Sequence, residues 1–329
     1  MYRLFTILIS LYIVLPGCKP REYFFLQGTA QGTSYQIKYA DAAAIDYSEQ
    51  VDSILDAFDM SLSTYKPNSI ISRMNMNDAA VRADEWFTEV FNKAMEVSEA
   101  TGGAFDITVG PLVNAWGFGR DSIPHVDSII IDSLLELVGY KKVSLAGNRL
   151  IKADPRMYID VNALAQGYSC DVLATWLEAQ GIKHYMIDVG GEVRVRGKNP
   201  DGNAWRIGID RPVMGNMIPG EQIEAVVALK NKSLATSGNY RKYYEVNGVK
   251  YAHTINPHTG YPVMQNLLSA SIIASDCMTA DAYATACMVM GLEKSKELLE
   301  NHPELQGLLI YSDEKGQYRI WKTRKFPME

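Results

Sequence analysis

Asp281 and Thr285 stand four positions apart in the stretch SDCMTADAYATACMVMG, residues 275–291. On a helix, that spacing puts a carboxylate and a hydroxyl on one face. Every neighbour is small or apolar, so a carboxylate buried there would be costly without a partner. Oxygen donors of this kind suit a hard cation such as Mg2+, which keeps phosphate oxygens and water in its shell. The same pair also fits a Thr bonded back to its helix and an acid favoured near a helix N-terminus by the dipole. Spacing alone leaves both open.

A second stretch, HTINPHTGYP (253–262), holds two of the chain's five histidines. Pro257 and Pro262 each remove a backbone donor and fix φ, while Gly260 permits a left-handed turn. The stretch is therefore a shaped loop rich in polar groups, the kind of segment that carries function. His253 lies where an aromatic strand meets the turn. It could serve as an acid–base group or as a satisfied structural histidine. His258 sits nearer the tip and is expected to be exposed. Upstream, Ser237, Gly238, Asn239 and Tyr240 end an apolar strand, and Tyr243, Tyr244 and Tyr251 follow. That aromatic density suits a planar ligand, and equally a half-buried hairpin face.

Two further stretches could approach a ligand. ATGGAFDITVGPLVNAWGFG (100–119) sets Asp106 among glycines and apolar residues. It lacks the GK[ST] of a phosphate loop, and no GxGxxG follows a strand. A buried turn whose Asp caps a helix is the competing reading. In DVNALAQGYSCD (160–171), Asp160 and Asn162 precede a helix beginning near Ala163. Free N–H groups at a helix start favour anionic and polar ligand groups. Asp160 and Asp171 could equally be caps or surface groups.

Elements of both kinds must position these residues. Apolar spacing predicts helices over Ser48–Phe58, Asp84–Thr101, Asp132–Val138, Ala165–Gln180, Ala280–Met290 and Ser295–Asn301. Gly102-Gly103 closes the second of these. Strands are expected in a pair from Glu22 to Tyr39 with Gly28 and Gly32 near its turn, and over Lys142–Ile151 and Met157–Val161 around the turn ADPR. Tyr185–Val189, an exposed strand over Val193–Gly197, Trp205–Asp210 and Ile223–Leu229 continue the sheet, and Gly307–Ser312 with Gln317–Trp321 form a hairpin. Strands and helices alternate without βαβ regularity. An α+β fold with mixed sheets and packed helices is therefore expected.

The composition, 47% hydrophobic and 21% charged, is that of a folded globular protein. A net charge of −6 and no dense Lys/Arg cluster argue against a nucleic-acid partner. Lys322, Arg324 and Lys325 read as a solvated end. The N-terminus has one Arg, an apolar run from Leu4 to Leu15, then Leu15-Pro16-Gly17-Cys18. The run is too short for a mature membrane span and has the shape of a secretory signal. A small residue directly before Cys18 resembles the bacterial lipobox. Residues 1–18 are thus read as a lipoprotein signal with Cys18 lipidated, and 19–329 as one domain. Cys170, Cys277 and Cys287 have no metal-site spacing and read as small core residues.

Taken in order, GTSYQI, FDMSLSTYKPNSIISRMN, GGAFDITVGPLVNAWGFG, DVNALAQGYSCD, IDVGGEVRVRG, TSGNYRKYY, HTINPHTGYP and ADAYATACMVMG resemble the ApbE family of flavin transferases, over about residues 25–325. The resemblance implies a T-fold-like α+β architecture. It also implies an enzyme that splits FAD at its pyrophosphate, attaches the FMN half through a phosphoester to a Thr of a target protein and releases AMP. The implied Mg2+ ligands are the Asp281 carboxylate, the Thr285 hydroxyl and the Ala163 carbonyl. His253 is implied as the group that deprotonates or orients the acceptor Thr, with Asp281 competing for that role. FAD contacts are implied for Tyr65, Ala104, Phe105, Asp106, Asp160, Gln166 and Ile255, with Ser237 and Gly238 at the pyrophosphate or flavin edge. Implied acceptors are Thr-bearing subunits of membrane redox complexes of the sodium-pumping NADH:quinone oxidoreductase (Nqr) or Rnf type. A lipid anchor is common in the family, and the location expected for this chain is the cell envelope, facing the periplasm from the inner membrane. Gln166 stands where many relatives carry Lys or Glu, and Gln31 where Met usually precedes Gly-Thr. Two alternatives remain: an FAD pyrophosphatase in which water replaces the Thr hydroxyl, and a lipid-anchored flavin-binding protein without turnover.

Overall fold

The computed structural model describes residues 22–119, 126–213, 218, 220–239, 243–246 and 249–329, the segment 243–252 by its backbone alone. The signal segment 1–18 with Cys18, and Tyr240, lie outside the described residues.

Eight strands form the main sheet. They are β1 (Tyr23–Ala30), β2 (Thr33–Ala40), β5 (Tyr185–Val189), β6 (Glu192–Arg196), β9 (Ser233–Gly238), β12 (Leu267–Ala274), β13 (Gln306–Ser312) and β14 (Tyr318–Lys322), in that spatial order. Three two-stranded sheets accompany it: β3 (Val143–Ala146) with β4 (Arg149–Lys152), β7 (Trp205–Asp210) with β8 (Ile223–Leu229), and β10 (Tyr243–Val246) with β11 (Val249–Ala252). Every pairing among the described strands is antiparallel.

The helices are α1 (Ser48–Leu62), α2 (Ile70–Asn75), α3 (Glu85–Ala100), α4 (Gly110–Ala115), α5 (Ser128–Leu135), α6 (Asn162–Ala179), α7 (Cys277–Met290) and α8 (Leu292–Asn301). Strand side chains alternate between faces, and the central strands use both. On one face Ala235, Ala270, Ile272, Ala274 and Leu309 pack with helices α3, α6, α7 and α8 in the main core. On the other, Val193, Val195, Leu234, Ile273, Leu308 and Ile310 pack with Trp205, Ile207, Ile209, Val227 and Leu229 of the β7–β8 hairpin. The result is an α+β fold: helices, a large sheet, and a small sheet beyond it.

Several expectations need correction. β7 and β8 cover the main sheet instead of extending it, because their apolar alternation matches a facing sheet as well as a neighbouring strand. β6 is not exposed: Glu192, Val193 and Val195 are buried. Residues 157–161 form no strand. β3 and β4 close on each other through Gly147-Asn148. Gly28 lies inside β1 opposite Tyr35, and the turn is Gln31-Gly32. The helix read at Asp132–Val138 starts earlier, at Ser128, where Asp127 accepts the Ile130 N–H at 2.9 Å as N-cap.

Candidate active site

Helix α7 is apolar almost all round and is buried almost all round: of Cys277–Met290 only Thr285 and Met290 reach intermediate exposure. It crosses α6 at Gly167. A Cβ there would stand 2.5 Å from the Cys277 carbonyl oxygen and 2.8 Å from Asp281 Cβ, so the two backbones meet at a distance only glycine permits. At this crossing the Gly167 N–H donates to Asp281 Oδ2 at 3.1 Å. The regular helical partner of that N–H is the carbonyl four residues back, Ala163. One amide thus links the Asp281 carboxylate to the turn of α6 that carries Ala163.

One turn along α7, Thr285 Oγ1 lies 3.1 Å from Ser237 Oγ on β9. Asp281 and Thr285 therefore share a face, and that face looks at the end of β9 and at Gly167 in the second turn of α6. Asp281 is only 6% exposed. Burial pushes its carboxyl up to about 8; the Gly167 N–H opposes this and the nearby Asp171 adds to it. A lone acid so placed holds its proton near neutral pH, whereas a bound cation would hold it ionised. Among the described residues no group of three or more His, Cys, Asp and Glu side chains gathers. The donor set here, one carboxylate with hydroxyl and carbonyl oxygens, is instead that of a hard cation shared with phosphate.

Asp171 does something spacing did not reveal. Its oxygens accept the N–H groups of Cys277 at 2.9 Å and Met278 at 2.9 Å, so it caps α7 from inside α6. Arg194 of β6 donates at 2.6 Å to its Oδ1, the oxygen that also accepts the Cys277 N–H. Asp276 adds the local cap, accepting the Thr279 N–H at 2.8 Å. α7 is held in register by a neighbouring helix and a strand, and Asp281 with it. Gly167 and Arg194 were likewise missed. The one available signal was a glycine inside a helical run, which marks close packing.

The GGAFD stretch ends α3 with Gly103 N–H donating to Ser98 O at 2.7 Å, both glycines having positive φ. Ala104 and Phe105 bury their side chains in core clusters, and their N–H groups donate to Thr101 O and Thr101 Oγ1, each at 3.2 Å, which leaves their carbonyls for any ligand. Asp106 is committed within the protein. Its Oδ1 accepts from Thr108 N–H at 2.8 Å and Thr108 Oγ1 at 2.6 Å, and its Oδ2 from Tyr140 N–H at 2.7 Å. It is the turn-capping Asp of the competing reading, with about one lone pair remaining. Asp160 Oδ1 accepts the Asn162 N–H at 2.8 Å, so it too caps the start of α6. Burial raises its pKa. Tyr65 is 58% exposed, and burial of its hydroxyl and the charge of Asp160 raise its pKa. It therefore offers an aromatic face beside α6.

The 253–262 loop is built as its residues predict. Asn256 Oδ1 accepts from His258 N–H at 2.9 Å, Gly260 N–H returns to Asn256 O at 2.8 Å, and Gly260 O accepts from Trp116 Nε1 at 2.7 Å. A Cβ on Gly260 would meet Ile131 at 2.5 Å, and its φ is +76°. Ile255 is buried with Leu112, Ile131 and Val138, so only its backbone is available. Thr254 Oγ1 donates to Asn239 Oδ1 at 2.8 Å, tying the loop to the strand end of Ser237 and Gly238. The His253 ring meets Phe118 edge-on, centroids 6.3 Å apart. His258 is exposed and lies against Gly103. Gln166 is half-buried; a Cβ on Gly190 would stand 3.0 Å from its Nε2.

Comparison with known proteins bears on this arrangement. The sequence model described as the ApbE family matches residues 31–309. An FAD:protein FMN transferase of Vibrio cholerae is 35% identical over 95% of each chain. One from Haemophilus influenzae is 36% identical, covering 93% of this chain and 92% of that one. Among solved structures, the flavin transferase ApbE of Vibrio cholerae superposes with a TM-score of 0.84 at 33% identity, covering 93% of this chain and 99% of that one. The apo form of the Pseudomonas stutzeri flavinyl transferase ApbE gives 0.81 at 30% identity, covering 92% and 95%.

Proposed function

The chain belongs to the ApbE family, and from that premise we propose that it is an enzyme that moves FMN from FAD onto a Thr hydroxyl of a target redox protein, releasing AMP. The observation that carries the reading is the shared face of Asp281 and Thr285, set against Ser237 of β9 and Gly167 of α6.

Mg2+ fits this site by the chemistry of its donors. Asp281, Thr285 and the Ala163 carbonyl would hold it. When bound, it supplies charge neutralisation on the pyrophosphate of FAD, the main requirement of phosphoryl-type transfer. The remaining work falls to the chain's own groups. Tyr65 offers a ring face, and Asp160 and Gln166 offer hydrogen bonds beside α6. Ser237 and Gly238 border the pyrophosphate. Ala104, Phe105 and Ile255 contribute backbone, and Asp106 chiefly holds the GGAFD turn in shape. The acceptor Thr oxygen attacks the phosphorus of the FMN half, and its proton passes to His253. The bond from that phosphorus to the bridging oxygen of the pyrophosphate breaks, and AMP leaves carrying the bridging oxygen, while the Thr oxygen stays bonded to the FMN phosphate.

The acceptor is a Thr-bearing subunit of a membrane redox complex of the Nqr or Rnf type. The Cys18 anchor keeps the domain 19–329 at the membrane, facing the periplasm from the inner membrane. Support for the anchor is the apolar run Leu4–Leu15 followed by Leu15-Pro16-Gly17-Cys18. Among the described residues no helix is long and apolar enough to cross a membrane. Cys18→Ser should release the protein from the membrane fraction; retention there would refute the anchor.

The decisive experiment mixes the protein lacking residues 1–18 with FAD, Mg2+ and an acceptor subunit, with and without EDTA, and reads masses. An FMN-sized adduct on an acceptor Thr, absent with EDTA, is the expected result. Free FMN and AMP without adduct would make the protein a pyrophosphatase instead, and unaltered FAD would make it a flavin-binding protein.

A further inference from the structure

The end of the main sheet at which the chain enters the fold gathers two kinds of residue that the transfer reaction does not use. Strand register defines this end. Tyr23 pairs with Ala40, Tyr39 with Tyr185 and Tyr185 with Arg196, so the ends of β1, β2, β5 and β6 lie side by side. Their loops are tied together. Asp41 N–H donates to Glu22 O at 3.3 Å and Ala40 N–H to His184 O at 2.9 Å. Lys198 N–H donates to His184 Nδ1 at 2.9 Å, Gly197 N–H to Asn231 Oδ1 at 2.8 Å, and the Tyr23 hydroxyl to Lys198 O at 2.7 Å.

The first kind of residue is apolar. Positions 42–45, Ala-Ala-Ala-Ile, follow β2 closely and all four are exposed, Ile45 by 44%. The loop satisfies its own backbone. Asp41 accepts the N–H groups of Ala43 at 2.9 Å and Ile45 at 3.2 Å, and Ile45 O accepts from the Tyr39 hydroxyl at 2.7 Å. Four consecutive apolar side chains turned to water mark a contact surface. The second kind is basic. Lys183, Lys198 and Lys230 are exposed on the neighbouring loops, with Lys232 half-buried next to Lys230 and Asn231. Lys19 and Arg21 precede Glu22 in the chain. The acids at this end are Glu22, Asp41, Asp46 and Asp201, and Arg196 is neutralised by its ion pair with Glu178. Six basic groups thus face four acids, in a chain whose net charge is −6.

We propose that this end of the domain is a membrane-docking surface, in which residues 42–45 enter the headgroup region of a leaflet and the surrounding lysines bind anionic phospholipid headgroups. The occupant follows from the length of chain that leads into the fold. Cys18 lies four residues before Glu22, so a lipidated Cys18 stands within about 14 Å of it. That tether brings the bilayer to this end of the sheet. Apolar side chains at the acyl boundary, with lysines beside them at the headgroups, are the composition of an interfacial contact. The inference rests on the lipid anchor proposed above and adds a contact made by the folded domain itself. It also orients the enzyme. β9 starts just after Lys232 at this end and reaches Ser237 at the candidate site, five residues or about 17 Å further on. A docked domain therefore turns its site away from the leaflet, toward an acceptor domain that projects from it.

The test uses the full-length lipidated protein on vesicles of phosphatidylcholine alone and of phosphatidylcholine mixed with phosphatidylglycerol. A polarity-sensitive fluorophore is attached at Ile45→Cys or at Ser34→Cys, the latter near the other end of β2, about 23 Å from Asp41. Both positions are exposed, so the label leaves the core intact. Cys170, Cys277 and Cys287 are buried, and acylated Cys18 has no thiol, so the label goes to the introduced cysteine. On mixed vesicles the emission from position 45 should shift to the blue while that from position 34 stays aqueous. Lys183→Gln, Lys198→Gln and Lys230→Gln should each lower the ratio of docked to undocked protein about fivefold. An aqueous spectrum at position 45, an equal shift at position 34, or a shift as large on phosphatidylcholine alone would overturn the proposal. Failure of the unaltered protein to float with either vesicle would instead sink the anchor reading on which it rests.

Discussion

Gly167→Ala should harm both the fold and the reaction while leaving every proposed ligand in place. The added Cβ would lie 2.5 Å from the Cys277 carbonyl oxygen and 2.8 Å from Asp281 Cβ, where ordinary contact begins at 3.4 Å. The carbonyl belongs to the first turn of α7 and cannot swing away like the end of a long side chain. That turn is also fixed by Asp171 through the Cys277 and Met278 N–H groups. The helices must therefore part by several tenths of an ångström. Overpacking of this kind costs about 1–3 kcal/mol. Alanine's better helix propensity returns about 1 kcal/mol, so a net loss of about 0–2 kcal/mol follows, a few degrees at most in Tm. The effect on transfer is larger, because the Gly167 N–H bond to Asp281 is stretched, and displacements near 1 Å cost about a hundredfold in rate. Thermal unfolding and acceptor flavinylation by mass spectrometry read the two quantities. A Gly167→Ala protein that is more stable and fully active would refute the argument that α6 and α7 touch through backbone at the site.

Other substitutions probe separate parts of the reasoning. Asp171→Asn removes the anion that Arg194 binds at 2.6 Å and weakens the cap on α7. A loss of about 2–4 kcal/mol is expected by urea denaturation, the cost of breaking a largely buried pair. Thr285→Val keeps the shape but removes the hydroxyl that meets Ser237. Transfer should fall at least about tenfold with Tm nearly unchanged, equal activity being the refuting result. In EDTA, stability should depend on pH through Asp281. Its folded pKa of about 8 lies above the unfolded value of about 3.9, so the folded state binds the proton more tightly. The contribution is fully present below about pH 4 and is lost as pH rises toward and through about 8, by up to about 6 kcal/mol. Asp281→Asn should flatten that profile and abolish metal-dependent transfer. A wild-type curve that rises over the same range would contradict the burial argument.

Local chemistry let the sequence alone determine a good deal. The helical spacing of Val51, Ile54, Leu55 and Phe58, and of the 87–97 run, marked α1 and α3 because a buried stripe repeats every 3.6 residues. The polar loop 253–262 was legible because Pro257, Pro262 and Gly260 restrict the backbone wherever they occur. Asp281 and Thr285 could be put on one face from a four-residue interval. Tertiary structure decided what no interval encodes. Whether Asp106 met a ligand or a turn depended on Thr108 and Tyr140, the latter 34 residues away. Whether Asp171 was a surface group or a cap depended on α7, more than a hundred residues on. β7 and β8 have the alternation of sheet neighbours, yet cover a face, because period two specifies which side is apolar and not what lies against it. The metal-site reading itself rests on such a meeting. Asp281 lies buried beside Gly167 only because two helices, far apart in the chain, approach more closely than any side chain would allow.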